Sequence, residues 1–261
     1  TRKESSAASD VYKRQLSHLL VSSRRTRTAE GAAQAVADAF ALFASERPGP
    51  VHIEVPLDVL EGQWWGAVPA PRAPRRPVLD MDMVATAAEA LAGSRTPLIV
   101  AGGGARRAAA EVRALAEALD APVVTTANGK GILDEDHPLS LGANVRFPAV
   151  QRASAEADVL LVLGSELADS DLWGGRIGTD DESAADGAEA GAGPTAGQTV
   201  IRCDIDPDQL NKNLRGNIHA FADCTDFLTA LLAHEALHGA GERDGQNLSL
   251  IHISEPTRLG M

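Results

Sequence analysis

Three turns in this chain pair residue types with spacings that could do chemistry, and each directly follows a predicted strand. Gly102-Gly103-Gly104 comes after a strand ending at Ala101 and before a helix predicted to run from Arg106 to Leu119. Its backbone N–H groups and the helix N-terminus could face a phosphate. The same glycines equally suit a tight strand-to-helix turn, and Arg107 stands where a GxGxxG fingerprint has its last glycine. Thr125-Thr126-Ala127-Asn128-Gly129-Lys130-Gly131 offers hydroxyls, an amide and glycines at a second strand end, where open α/β sheets bind phosphates or ribose. It lacks P-loop spacing, which argues against phosphoryl transfer. Asp204-Ile205-Asp206-Pro207 closes a third strand; a carboxylate there can accept from ribose hydroxyls or cap the helical turn beginning at Pro207, and both readings stay open.

Other reactive side chains do not assemble into a set. His52, His137 and His219 are scattered, and His234 and His238 stand at i, i+4 on a predicted final helix with no third ligand, so solvated histidines are the simpler reading. Glu166, Asp169 and Asp171 cluster after Gly164, as suits a helix N-terminus or a solvated loop as well as acid–base work. No Ser/His/Asp or Cys/His arrangement appears. No catalytic residue and no metal ligand is therefore assigned.

The elements that must position these turns read as follows. Ala32, Val36, Ala39, Phe40 and Phe43 recur at helical spacing from Thr28 to Ala44, with Thr28 as N-cap, and predict a helix packed on one face. Pro48-Gly49-Pro50 stops it, and Val51, Ile53 and Val55 alternate with His52 and Glu54 as a half-buried strand that Pro56 ends. Pro69, Pro71, Pro74 and Pro77 then mark an extended linker over residues 61–78. Beyond it the pattern is regular: helix 82–92, strand 97–101, helix 106–119, strand 122–125, a buried apolar strand within 158–164, strand 199–204, a short helix or turn 206–213, strand 218–222 and helix 225–237. Strands alternating with helices predict an α/β, Rossmann-like parallel sheet with helices on both faces over 79–237, preceded by a helix-strand remnant of a second α/β domain over 16–60. Residues 178–198, acidic and rich in Gly and Ala, predict a mobile surface loop.

Composition narrows the classes. With 261 residues, 44% of them hydrophobic, the chain can fill one α/β domain and part of another. A formal charge of −12 argues against nucleic acid, which needs clustered Lys and Arg. No apolar run approaches the roughly 18 residues of a membrane span, and no apolar signal core follows the first residues. Cys203 and Cys224 form no disulfide framework, which points to a reducing cytoplasm. Val11-Tyr12-Lys13-Arg14-Gln15 and residues 249–258 resemble translated sequencing adapters, so residues 1–15 and the end of the 238–261 tail are expected to be non-native.

Taken in order, Arg47-Pro48-Gly49-Pro50-Val51-His52-Ile53-Glu54-Val55-Pro56-Leu57-Asp58-Val59, the proline-rich linker, Gly102-Gly103-Gly104, Thr125 to Gly131, Asp136-His137-Pro138-Leu139-Ser140-Leu141-Gly142 and Asp204-Ile205-Asp206-Pro207 resemble the acetolactate synthase-like family of thiamine diphosphate (ThDP) enzymes. The resemblance covers roughly Ser17 to Leu232. It implies that 16–60 is the C-terminal part of a pyrimidine-binding domain and 79–237 the central domain. It also implies ThDP and Mg²⁺ in the full-length enzyme, held mostly outside this chain, and a small 2-oxo acid substrate that is decarboxylated or carboligated. A homodimer or homotetramer follows by the same analogy, and this chain alone would be inactive.

Some family members bind FAD or ADP in the central domain, and the positions carried over for that role are Gly102, Gly103, Thr126, Ala127, Asn128, Gly164, Asp204, Ile205 and Asp223. Two segments depart from the acetolactate synthases. Val145-Arg146-Phe147-Pro148 replaces a Gly-Met-His-Gly segment, and Glu166 stands in place of a flavin-contacting arginine. A carboxylate near a diphosphate is unfavourable. That counts against FAD and gives weight to a non-flavin 2-oxo acid decarboxylase. The rival reading is a stand-alone nucleotide-binding or regulatory module on the same Rossmann-like domain.

Overall fold

The computed structural model describes residues 19–179 and 193–238. The expected non-native ends and most of the acidic 178–198 segment lie outside the described residues. The chain divides into two compact units, one up to Arg76 and one from Pro77.

In the first unit, β1 (Ser22–Arg25) and β2 (Val51–Glu54) pair in parallel, joined by α1 (Ala29–Ser45), and a single-turn helix α2 (Leu57–Leu60) follows. Thr28 caps α1 as its sequence predicts: its side chain accepts from the Gly31 N–H at 3.0 Å. The expected packed face is corrected in part: Ala32, Ala39 and Phe43 are half-buried, but Val36 and Phe40 are not. Ala35 and Ala37 are buried, whereas Val36 and Phe40 are 47% and 59% exposed. The reason is that α1 is apolar on more than one side, and a two-stranded sheet covers one of them. No apolar alternation announces β1, whose Ser-Ser-Arg-Arg sequence becomes a strand through its backbone ladder to β2.

Residues 61–80 form neither helix nor strand, in keeping with four prolines that cannot donate to a ladder. The second unit is built on a five-stranded parallel sheet in the order β4-β3-β5-β6-β7, with β3 Pro97–Ala101, β4 Val123–Thr125, β5 Val159–Leu163, β6 Thr199–Asp204 and β7 Ile218–Phe221. Alternate residues feed two cores. Ile99, Leu161 and Ile201 lie side by side in register and pack beneath α3 (Met81–Gly93), α4 (Ala109–Leu119) and α7 (Cys224–Leu232). Leu98, Leu160 and Val200 face the other way, toward Val150 on α5 (Pro148–Glu156) and Leu172 on α6 (Asp169–Leu172). Burial on both sides explains why β5 reads as a continuous apolar run.

Two helix boundaries differ from the sequence expectation. Gly103–Ala108 is a 3₁₀ turn, so the α-helix starts at Ala109 instead of Arg106; nothing in Gly-Gly-Ala-Arg-Arg supplies a side-chain cap for an α-helical start. The closing helix ends at Leu232, and His234 caps a separate 3₁₀ turn by accepting from the Ala236 N–H at 3.3 Å. His234 and His238 thus do not share a helix face. Among the described residues no cluster of His, Cys, Asp and Glu could hold a metal, and no helix is long and apolar enough to cross a membrane.

Candidate functional site

Because all five strands are parallel, every turn singled out above emerges at the same C-terminal edge: Gly102 and Gly103 after β3, Thr126, Ala127 and Asn128 after β4, Gly164 after β5, Asp204 and Ile205 at the end of β6, and Asp223 after β7. The chain crosses from β4 to the far side of β3 to form β5, so the strand order reverses between β3 and β5. Ligands of open α/β sheets lie at such a reversal.

Here the two loops leaving β3 and β5 are zipped together. The Gly102 N–H donates to the Leu163 carbonyl at 2.8 Å and the Gly104 N–H to the Gly164 carbonyl at 3.0 Å. A methyl group on Gly102 would collide with the Gly164 carbonyl, and one on Gly104 would stand 2.8 Å from Gly164 Cα. Those two N–H groups are committed to carbonyls and do not present themselves to a phosphate, so close backbone packing is what requires glycine. Gly129 has the same origin: its Cβ would overlap the Ala101 carbonyl.

Several carried-over side chains also serve the fold. Buried Thr126 accepts from the Gly129 N–H at 3.3 Å, buried Asp204 from the Asp206 N–H at 3.0 Å, and Asp223 from the Thr225 N–H at 2.9 Å, where it caps α7. The cap of the 3₁₀ turn at Pro207 is Asp206, which accepts from the Asp208 N–H. Ala127 and Asn128 are exposed, and Gly103 packs close to the Asn128 side chain. Lys130 turns aside to pair with Glu135 at 3.2 Å.

Arg202, Lys212 and Asn213, which organise this edge, were not legible as site residues. Arg202, in the middle of β6, is 1% exposed and donates to four carbonyls: Ser165 at 2.7 Å, Leu214 at 2.7 Å, Gln209 at 2.8 Å and Lys212 at 3.2 Å. Burial pushes its pKa down to about 10, so it stays cationic at neutral pH. A charged residue between the apolar Ile201 and Cys203 of a buried strand was the available signal. Above it, Lys212 pairs with Glu166 at 2.7 Å, and Asn213 donates to the Glu166 and Leu167 carbonyls at 2.8 and 3.0 Å. Leu167 and Asn213 both take left-handed backbone, φ 52° and 64°. The loops after β5 and β6 are therefore tied by one buried cation, one ion pair and one amide.

Asp171 lies beside the Ala127 backbone and the Glu166 carboxylate, and partial burial, with Glu166 acting in the same direction, raises its pKa. A carboxyl whose folded pKa is raised contributes stability below its unfolded pKa and loses it as pH rises through the folded value. Asp171→Asn is accordingly expected to melt slightly above the parent at neutral pH, with the difference vanishing toward acid. Thermal melts of both proteins across the carboxylate range check this.

Comparison with known proteins agrees with this architecture. The family described as thiamine pyrophosphate enzyme, central domain, matches residues 84–231. A Pseudomonas aeruginosa protein named a probable 2-ketoarginine decarboxylase is 40% identical over 200 residues, covering 76% of this chain and 33% of its own length. The acetolactate synthase isozyme 1 large subunit of Escherichia coli is 31% identical over 204 residues, covering 76% of this chain and 33% of its own. The crystal structure of benzoylformate decarboxylase from Polynucleobacter necessarius superposes with a TM-score of 0.63 at 25% identity, over 88% of this chain and 40% of that one. The chain thus spans about a third of the length of the curated relatives it matches. A five-stranded parallel sheet with this order of turns, matched from Val84 to Leu231, places the chain in the thiamine pyrophosphate enzyme family and makes that segment its central domain.

Proposed function

We propose that the full-length protein is a ThDP- and Mg²⁺-dependent enzyme acting on small 2-oxo acids, either a decarboxylase or an acetolactate synthase-like carboligase, and that it works as a homodimer or homotetramer. In this reading residues 16–60 close the pyrimidine-binding domain, 61–78 link the domains, and 79–237 form the central domain. The observation that carries it is the 40% identity over 200 residues to the 2-ketoarginine decarboxylase relative. Bound ThDP supplies the electron sink for loss of CO₂. The residues of this chain supply the rigid sheet edge and the loops that Arg202 and the Glu166–Lys212 pair hold in place.

The edge does not fit the diphosphate of a flavin dinucleotide. Gly102 and Gly104 N–H groups are spent on carbonyls, and Glu166 and Asp171 bring two carboxylates near one another at this edge, which disfavours a bound anion. Lys212 offsets one of them. These features favour a non-flavin member of the family.

The test is the full-length protein supplied with ThDP and Mg²⁺. CO₂ release from 2-ketoarginine, with no acetolactate from pyruvate and no flavin absorption in the purified protein, is the expected result. Acetolactate formation with bound flavin would replace the decarboxylase reading by the carboligase. No ThDP-dependent turnover on any 2-oxo acid, together with saturable binding of ADP or NAD, would favour the stand-alone module.

A further inference from the structure

We propose that Cys203 and Cys224 form an oxidation-responsive pair that closes to a disulfide under peroxide and ties β6 to the start of α7 beneath the loop carrying Asp204 to Leu214. Both cysteines are free and buried, and their sulfurs are 3.9 Å apart. The Cys203 thiol donates toward the Cys224 sulfur and toward the Ala222 carbonyl at 3.7 Å. The sequence alone separates these residues by a strand and two turns. Parallel pairing of β6 with β7 brings Cys203 opposite Ala220 and so under the first turn of α7.

The two sulfurs are not equivalent. Cys224 is the first residue of a nine-residue helix, is the more exposed of the two at 4% against 2%, and accepts the neighbouring S–H. Cys203 sits in mid-sheet, where burial, Cys224 and the Asp204 and Asp223 carboxylates all push its thiol up. Cys224 is therefore the sulfur that meets the oxidant. Its sulfur attacks a peroxide oxygen, the O–O bond breaks, and Cys224 sulfenic acid and water result. Cys203 then attacks that sulfur; the S–O bond breaks, the S–S bond forms, and hydroxide leaves as water with the Cys203 proton. Two thiols are oxidised and one peroxide is reduced. The sulfurs must close from 3.9 Å to the ~2.0 Å of a disulfide, and Cys203 gives up its contact with Ala222.

The closed ring encloses Gln209, Lys212 and Asn213, which hold the loops at the sheet edge, so the oxidised form is the more constrained one. The experiment treats the purified chain with hydrogen peroxide, quenches it, and counts thiols after denaturation. The expected product is a monomer lighter by two hydrogens, without free thiols, melting about 5 °C or more above the reduced form, and restored by dithiothreitol. Retained thiols, a sulfinic acid product or a disulfide-linked dimer would overturn the proposal. The assigned order is read from two variants. Cys203→Ser should accumulate a dimedone-reactive sulfenic acid at Cys224, while Cys224→Ser should leave Cys203 unmodified at the same peroxide dose; labelling with the opposite pattern would refute the roles.

Discussion

Arg202→Met should lower the stability of this chain by about 3–5 kcal/mol, read as a shift in the urea midpoint at unchanged m-value. The guanidinium is buried and satisfies carbonyls from three segments, the turn after β5 and both halves of the loop after β6. Methionine fills a similar volume but takes the donor from the Ser165 and Leu214 carbonyls in a place water reaches poorly, while the Gln209 and Lys212 carbonyls keep the Lys212 and Leu214 N–H groups. Each such orphan costs roughly 1–3 kcal/mol before relaxation, and local opening of the loop recovers part of the sum. Arg202→Lys tests whether charge or geometry matters. A lysine keeps the cation but lacks the planar five-donor fork, so it should recover a minor part of the loss. A deficit under about 1 kcal/mol for Arg202→Met would show that the loops hold themselves.

Gly164→Ala is the second large effect. Gly164 has φ +54°, and a methyl group there would stand 2.5 Å from Gly104 Cα and 2.7 Å from the Ala105 nitrogen, both backbone atoms that cannot swing aside. Left-handed backbone costs an alanine roughly 1–2 kcal/mol, and forcing the two loops apart adds about 1–3 kcal/mol. Gly131 is the internal control. It has φ +85° with nothing within 4 Å of an added methyl, so Gly131→Ala should carry the backbone term alone. Melting temperatures and soluble yield of the two variants, measured side by side, separate conformation from collision. Equal losses would mean that the β3 and β5 loops are not tightly apposed.

The fold was legible because its signals are local. Val159 to Leu163 is apolar at every position and reads as a strand buried on both faces, and Thr28 announces a helix start by a side-chain oxygen that accepts from the N–H three residues on. Sequence left two readings open, or chose the wrong one, where a local rule had two solutions. Glycines after β3 suit a phosphate cradle or a tight backbone contact, and only the position of Gly164 shows that contact here. The apolar residues of α1 admit two faces, and only the strands beside it select Ala35 over Val36.

Sequence order was sufficient for the parallel α/β architecture, the proline-rich linker and the resemblance to ThDP enzymes, because periodicity, prolines and ordered turns are properties of neighbouring residues. Tertiary structure alone decided which groups share an edge and what each one does there. Arg202 is separated from Ser165 by 37 positions and Lys212 from Glu166 by 46, and no rule of spacing links them. Parallel pairing of β5 with β6 brings those loops together. There one buried arginine and one partly exposed ion pair hold the sheet edge.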